Sequence, residues 1–151
     1  MDTAIAPESL NVKQFAVFLL NRAGALLSVV KLLEDANIHV LGLSLQDSVD
    51  VTVARIIVSD PDSVETIFME RGIPFSMSDM LVVELKHGAE DLSRCLTAFL
   101  KAETNIHFAY PLLIQPGGFP AIALHLEDIE LGENVMRAHQ FRILRQNDLS
   151  R

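Results

Sequence analysis

Apolar positions recur along the chain at two different periods, and the switches between them lay out the elements. Val12 to Leu20 is the first strand. From Phe15 onward both of its faces are apolar, with Phe15, Val17 and Leu19 on one and Ala16, Phe18 and Leu20 on the other. Such a strand expects cover on both sides. The period then turns helical: Leu26, Val30 and Leu33 share a face within Leu26 to Ala36, widened by Leu27 and Val29. Asn37 supplies a stop, since Asn tolerates left-handed backbone. Ile38 to Gln46 reads as a strand, Asp47 to Asp50 as a turn and Val51 to Ser59 as a β-branched return strand. A second helix is capped by Asp60, carries Pro61 at its first position and ends at Gly72. Pro74 then forces an extended segment, Phe75 to Met80. The order β-α-β-β-α-β is that of a ferredoxin-like unit.

The pattern then starts again. Leu81 to Leu85 is a strand, His87-Gly88-Ala89 a loop, and Leu92, Cys95, Leu96 and Phe99 a helical stripe. Asn105-Ile106-His107 repeats Asn37-Ile38-His39 at an offset of 68 residues (105 − 37), and Asp128 repeats the helix-capping Asp60 at the same offset. Agreement of the triplet with the strand order and the helix start argues for a tandem duplication. Pro116-Gly117-Gly118 takes the hairpin-turn position, Phe119 to Leu126 is the return strand, Ile129 to Ala138 a short helix and Phe141 to Leu144 a last strand. Residues 1–11 read as a loose leader and Gln146 to Arg151 as a frayed tail. The chain is expected to hold two α+β domains, residues 12–80 and 81–145, each with an antiparallel sheet and helices on one face. Strands apolar on both faces then call for a homodimer to cover the second face.

Composition narrows the function. The 151 residues suffice for two small domains. A net charge of −8, no Trp and one Tyr argue against nucleic acid as a partner. No apolar run reaches the length of a membrane span, so no membrane partner is expected. Met1 to Glu8 lacks the basic and apolar regions of a signal peptide, which makes the cytoplasm the expected location. The single Cys95 excludes an intramolecular disulfide and a Cys-rich metal site.

The chemistry concentrates at Asn21-Arg22-Ala23-Gly24-Ala25-Leu26. A strand that turns through Arg and Gly into a helix gathers backbone N–H groups and a cation at one point, which suits a small anion such as a carboxylate. A Gly at such a junction also serves as a plain turn residue, and Arg22 also reads as a solvated surface charge.

Taken in order, the pattern resembles the ACT domain family, in particular small stand-alone proteins made of two such domains. The resemblance covers about residues 12 to 145. It rests on the strand Phe15 to Leu20, the loop Asn21 to Leu26 with its helix, and Asn37-Ile38-His39-Val40 at the second strand. The family loop often runs Asp-Arg-Pro-Gly-x-Leu; here Asn21 and Ala23 replace the Asp and Pro, while Arg22, Gly24 and Leu26 match. The second loop, His87-Gly88-Ala89-Glu90-Asp91-Leu92, keeps only the Leu. The resemblance implies a regulatory sensor of an amino acid or similar small carboxylate, acting on a metabolic enzyme. It implies a site of Asn21, Arg22, Ala23, Gly24, Ala25 and Leu26, with Asn37 and Ile38 facing a partner unit. Asn21 or Asn37 would offer a carbonyl to an α-ammonium; Asn37 reads equally well as a helix cap.

Glu90 and Asp91 in the second loop repel a carboxylate, so that loop is expected to be structural or to meet an ammonium. His39 and His107 hold matching strand positions, without a third ligand for a metal. Cys95 lies on an apolar stripe and reads as core. No paired His–carboxylate or Ser–His constellation appears, so neither enzymatic activity nor a cofactor is expected. The competing reading is a dimerisation or enzyme-docking module without a ligand.

Overall fold

A computed structural model describes residues 10–20 and 24–150. The fold is α+β, with the βαββαβ unit occurring twice. The chain divides into two compact units, Lys13–Ser78 and a second made of Asp79–Arg151 with Met1–Val12.

In the first unit, β1 (Val12–Leu20), β2 (Val40–Asp47), β3 (Val51–Val58) and the start of β4 (Phe75–Glu84) form a sheet in the order β2-β3-β1-β4. β3 lies antiparallel between β1 and β2, with Phe15 opposite Ile56 and Val17 opposite Ala54. That register puts Phe15, Val17, Leu19, Ala54 and Ile56 on one face. Helices α1 (Ala25–Asp35) and α2 (Pro61–Arg71) both pack there, through Val29, Leu33, Val64 and Phe68. Phe15 meets Phe68 edge-on at 5.7 Å, and Phe75 closes an aromatic triangle at 5.7 and 5.6 Å. Each such ring contributes a few kcal/mol by burial, on the order of 1.5–3. The opposite face leaves Phe18 and Leu20 exposed.

The helix signals of the sequence hold. Asp60 accepts the Ser63 backbone N–H at 3.2 Å, Pro61 opens α2, and Gly72 closes it at φ 66°. Asn37 adopts φ 61° and stops α1, and the Ile38 N–H then reaches back to the Leu33 carbonyl at 2.9 Å. Ile38 is thereby drawn into the core, and β2 starts two residues later than the sequence suggests.

In the second unit, the end of β4 joins β5 (Ile106–Pro111), β6 (Ala121–Leu126) and β7 (Ile143–Leu144), in the order β5-β6-β4-β7. Helices α3 (Ala89–Lys101) and α4 (Ile129–Ala138) cover one face, where Cys95, Phe99 and Met136 pack with Leu81, Val83, Leu124 and Leu126. At Gly132 on α4 the packing is tight: a Cβ there would fall 2.1 Å from Leu126 Cδ1, so that side chain would have to shift.

Three expectations change. Phe75 to Leu85 is not two segments: β4 is one ten-residue strand, with residues 75–78 in the first unit and 79–84 in the second. Pro116–Gly118 forms a 3₁₀ turn after an irregular stretch from Leu113, and not a tight hairpin. Residues 146–149 are no frayed tail but a short helix, α5 (Gln146–Leu149). Arg145 N–H donates to Asp148 at 2.7 Å, Gln146 N–H donates to the Leu10 carbonyl at 3.1 Å, and Leu149 is buried.

Candidate functional site

Among the site residues read from the sequence, Asn21, Arg22 and Ala23 lie outside the described residues. Gly24 caps α1 in the left-handed region at φ 86°. Among the described residues, no neighbour lies within 4 Å of a Cβ built there, and the demand for glycine comes from backbone conformation. Its carbonyl accepts from the Ser28 N–H at 2.9 Å and the Ser28 hydroxyl at 3.0 Å. Among the described residues, no side chain caps α1 and no acidic residue occupies its first turn. The N–H groups of that turn carry the positive end of the helix dipole. Ala25 and Leu26 are half-buried against the first-unit core, which fixes the direction in which that end points.

Asn37 and Ile38 lie at the other end of α1, about 20 Å away at roughly 1.5 Å per residue. Both line a groove completed by Asp60, Asp62, Ser63 and Thr66. Asp60 spends both oxygens on Ser63, taking its N–H at 3.2 Å and its hydroxyl at 2.7 Å. Asp62 adds a further carboxylate, so the groove suits an ammonium better than a carboxylate. One copy of the first unit thus holds an anion-attracting helix start and a cation-attracting groove at opposite ends of the same helix.

The second loop is built differently. Gly88 turns at φ 66°, and Asp91 folds back so that its Oδ2 accepts the His87 N–H at 2.8 Å. Asp91 is buried, with the His87 ring and Arg94 each 3.3 Å away. The His87 backbone hydrogen bond, helped by Arg94, holds its carboxyl below the usual range against the opposing effect of burial. Arg94 is itself fixed over the Phe141 ring at 4.3 Å. The Asp91 carboxylate closes the loop that leads into α3.

The remaining candidates fall to packing. Cys95 is buried beside Met136, and burial pushes its thiol up to about 11. His107 pairs with His125, the Nδ1 atoms 3.1 Å apart, and His125 stacks on Phe108 at 4.7 Å. Among the described residues, no group of three or more His, Cys, Asp or Glu side chains is placed to hold a metal ion. No described helix is long and apolar enough to cross a membrane. Arg142 was not legible as a functional residue: it pairs with Glu84 at 3.3 Å and with Asp148 at 3.6 Å, and no spacing motif marks it.

A family model described as an ACT domain pair matches residues 10–151. A crystal structure of a protein from Bacteroides thetaiotaomicron is similar at a TM-score of 0.85 and 20% identity, over 94% of this chain and 97% of that one. The ligand-free regulatory subunit of aspartate kinase from Thermus thermophilus is similar at 0.58 and 17% identity, over 87% and 92% of the two chains. The corresponding subunit from Thermus flavus gives 0.56 and 18%, again over 87% and 92%. No curated protein sequence matches the chain.

Proposed function

Because this chain belongs to the ACT domain pair family, we propose that it is a non-catalytic regulatory protein that senses an amino acid. The observation that carries this reading is the start of α1, left-handed at Gly24, with no side-chain cap and no acidic first-turn residue among the described residues. An α-carboxylate placed there meets the N–H groups near Ala25 and Leu26, and Arg22 supplies the charge-assisted partner. The α-ammonium goes to the Asn37 and Ile38 groove, whose acidic lining favours a cation.

The two ends of α1 are too far apart for one amino acid to bridge. A site that uses both takes the loop from one copy and the groove from another, which makes the working form a homodimer. The fold shared with regulatory subunits of aspartate kinase makes a metabolic enzyme the partner to test. The proposed setting is the cytoplasm.

A thermal-shift screen against the common amino acids, with Arg22→Ala alongside, tests the reading. A ligand that binds only the folded protein raises the melting temperature by mass action. The expected result is a rise with one or a few amino acids that is lost in the variant. A flat response favours the second reading, a docking or dimerisation module without a ligand. That reading draws support from Phe18 and Leu20, which are 39% and 66% exposed on the face of β1 that the helices leave open.

A further inference from the structure

Strands β5 and β6 of the second unit bring two ring nitrogens face to face: His107 Nδ1 lies 3.1 Å from His125 Nδ1. We propose that this pair is a site for an exchangeable divalent transition-metal ion that prefers imidazole, Zn²⁺ or Cu²⁺. Both Nδ1 atoms bind the ion, and water fills its other positions. Two protein ligands are fewer than a closed structural site holds, which suits an ion that comes and goes. The site stands apart from the sensing role proposed above and uses none of its residues.

Distance makes the first argument. Two imidazole nitrogens, each about 2.0–2.1 Å from one ion, stand about 2.8–3.4 Å apart across the range from square-planar to tetrahedral angles. The observed 3.1 Å falls within that span, so the rings can keep their spacing when an ion enters. In the metal-free pair one neutral ring donates its Nδ1 proton and the other accepts it. The ion takes the place of that proton. The proton moves to Nε2 of its own ring, both Nδ1 lone pairs turn to the metal, and neither ring gains or loses a proton overall.

Placement makes the second. The register of β5 on β6 shifts between Ile106 and Phe108, which makes His107 the extra residue of a bulge. Bulges re-aim side chains, and this one presents the His107 ring to His125. The His125 ring lies flat on Phe108, with centroids 4.7 Å apart and planes 5° apart. That stacking orders one ligand before the ion arrives and lowers the cost of binding. His107 is exposed, so the ion has access from solvent. In the first unit the equivalent shift falls between Val40 and Gly42, and Leu41 and Ile57 hold the corresponding positions. Both are buried. The second unit thus carries two imidazoles where its counterpart carries two aliphatic side chains.

The test is long-range proton–nitrogen correlation of the imidazole rings in the untagged full chain, with Zn²⁺ added to about 1 mM, which covers dissociation constants near 0.1 mM. Zn²⁺ is expected to shift Nδ1 of His107 and His125 together and to leave both rings protonated at Nε2. Mg²⁺, which prefers oxygen ligands, should leave them unchanged. His107→Gln, at an exposed position, is expected to weaken Zn²⁺ binding at His125 by about tenfold or more, because one imidazole then acts alone. His39→Gln should leave the affinity of the pair as it was. Silence at both Nδ1 atoms overturns the proposal. Responses of equal strength at His39, His87 and His139 mean adventitious binding to single imidazoles and overturn it too. So does Zn²⁺ binding at His125 that survives His107→Gln at full strength.

Discussion

Asp91 Oδ2 accepts the backbone N–H of His87 at 2.8 Å, closing the loop that leads into α3 from within. The second-unit loop that aligns with Asn21 to Leu26 is therefore tied by the protein's own carboxylate. Asp91→Ala is expected to cost about 1.5–3 kcal/mol, the range for a hydrogen bond to a charged group, in urea denaturation at neutral pH. The Asp91 carboxyl is held below its ordinary value of 3.8, so its contribution is complete above that value and fades as pH falls below it. The gap between wild type and variant should narrow at pH 3. A gap that stays constant down to pH 2 would contradict this account of the loop. A complex with a carboxylate seated beside Glu90 would equally contradict the assignment of the second loop as structural.

Gly132→Ala pits helix propensity against packing. Alanine gains about 1 kcal/mol in a helix interior. Its Cβ would nevertheless lie 2.1 Å from Leu126 Cδ1 and 3.3 Å from Leu81 Cδ2, inside a filled core. Overpacking of that kind costs about 1–3 kcal/mol. Net destabilisation is expected in thermal melts, and a double-mutant cycle with Leu126→Ala should show strong coupling. Additive effects would mean that the core yields without cost.

A site shared between copies makes a complementation prediction. Arg22→Ala removes the proposed carboxylate partner. Asn37→Gly removes the side chain while glycine keeps the left-handed φ of 61° that stops α1. Each variant alone should lose the amino-acid response. Mixed after reversible unfolding, they should recover about a quarter of the sites, because half the dimers are hybrid and each hybrid rebuilds one of its two sites. An Asn37→Gly protein that responds like wild type would show that Asn37 acts only as a cap.

Cys95 should resist thiol reagents in the folded protein. Burial raises its thiol from 9.0 to about 11, so little thiolate exists at pH 8. Labelling is expected to follow unfolding, accelerating with urea. The neutral thiol favours the folded state, so this contribution is intact below pH 9 and is lost as pH rises toward 11. Rapid native-state labelling at pH 8 would contradict the burial argument.

The elements that could be read from the residues were those with local, self-contained signals. Asp60, Pro61 and Gly72 start and stop α2 by their own conformational chemistry, and the structure uses each as expected. Asn37 likewise announces the end of α1. The repeat was legible because Asn105-Ile106-His107 and Asp128 return at one spacing. What escaped depended on contacts distant in sequence. The two strand segments expected to meet at residues 80 and 81 are one strand, since an extended run continues without a turn signal and Leu81 to Glu84 pair with Ala121 to Leu124. The residues 146–149 lack periodicity, and their helix is held by Leu10 and by the Asp148 cap. Glu90 and Asp91 looked alike as first-turn acids. One is exposed and the other buried, since only Asp91 reaches the His87 N–H. Arg142 shows its partners Glu84 and Asp148 only in three dimensions.

The hydrogen bond from Gln146 to the Leu10 carbonyl, reinforced by that from Arg145 to Asn11, brings chain segments near both termini together within the second unit. The polypeptide is accordingly suited to circular permutation. A short glycine-serine tether could join residue 150 to residue 10, and new ends could be opened in the Ser48–Asp50 turn, where Val49 is 92% exposed. Such a permutant would place the first strand in mid-chain while retaining the Leu10–Gln146 clasp, and would free the exposed turn to carry a reporter.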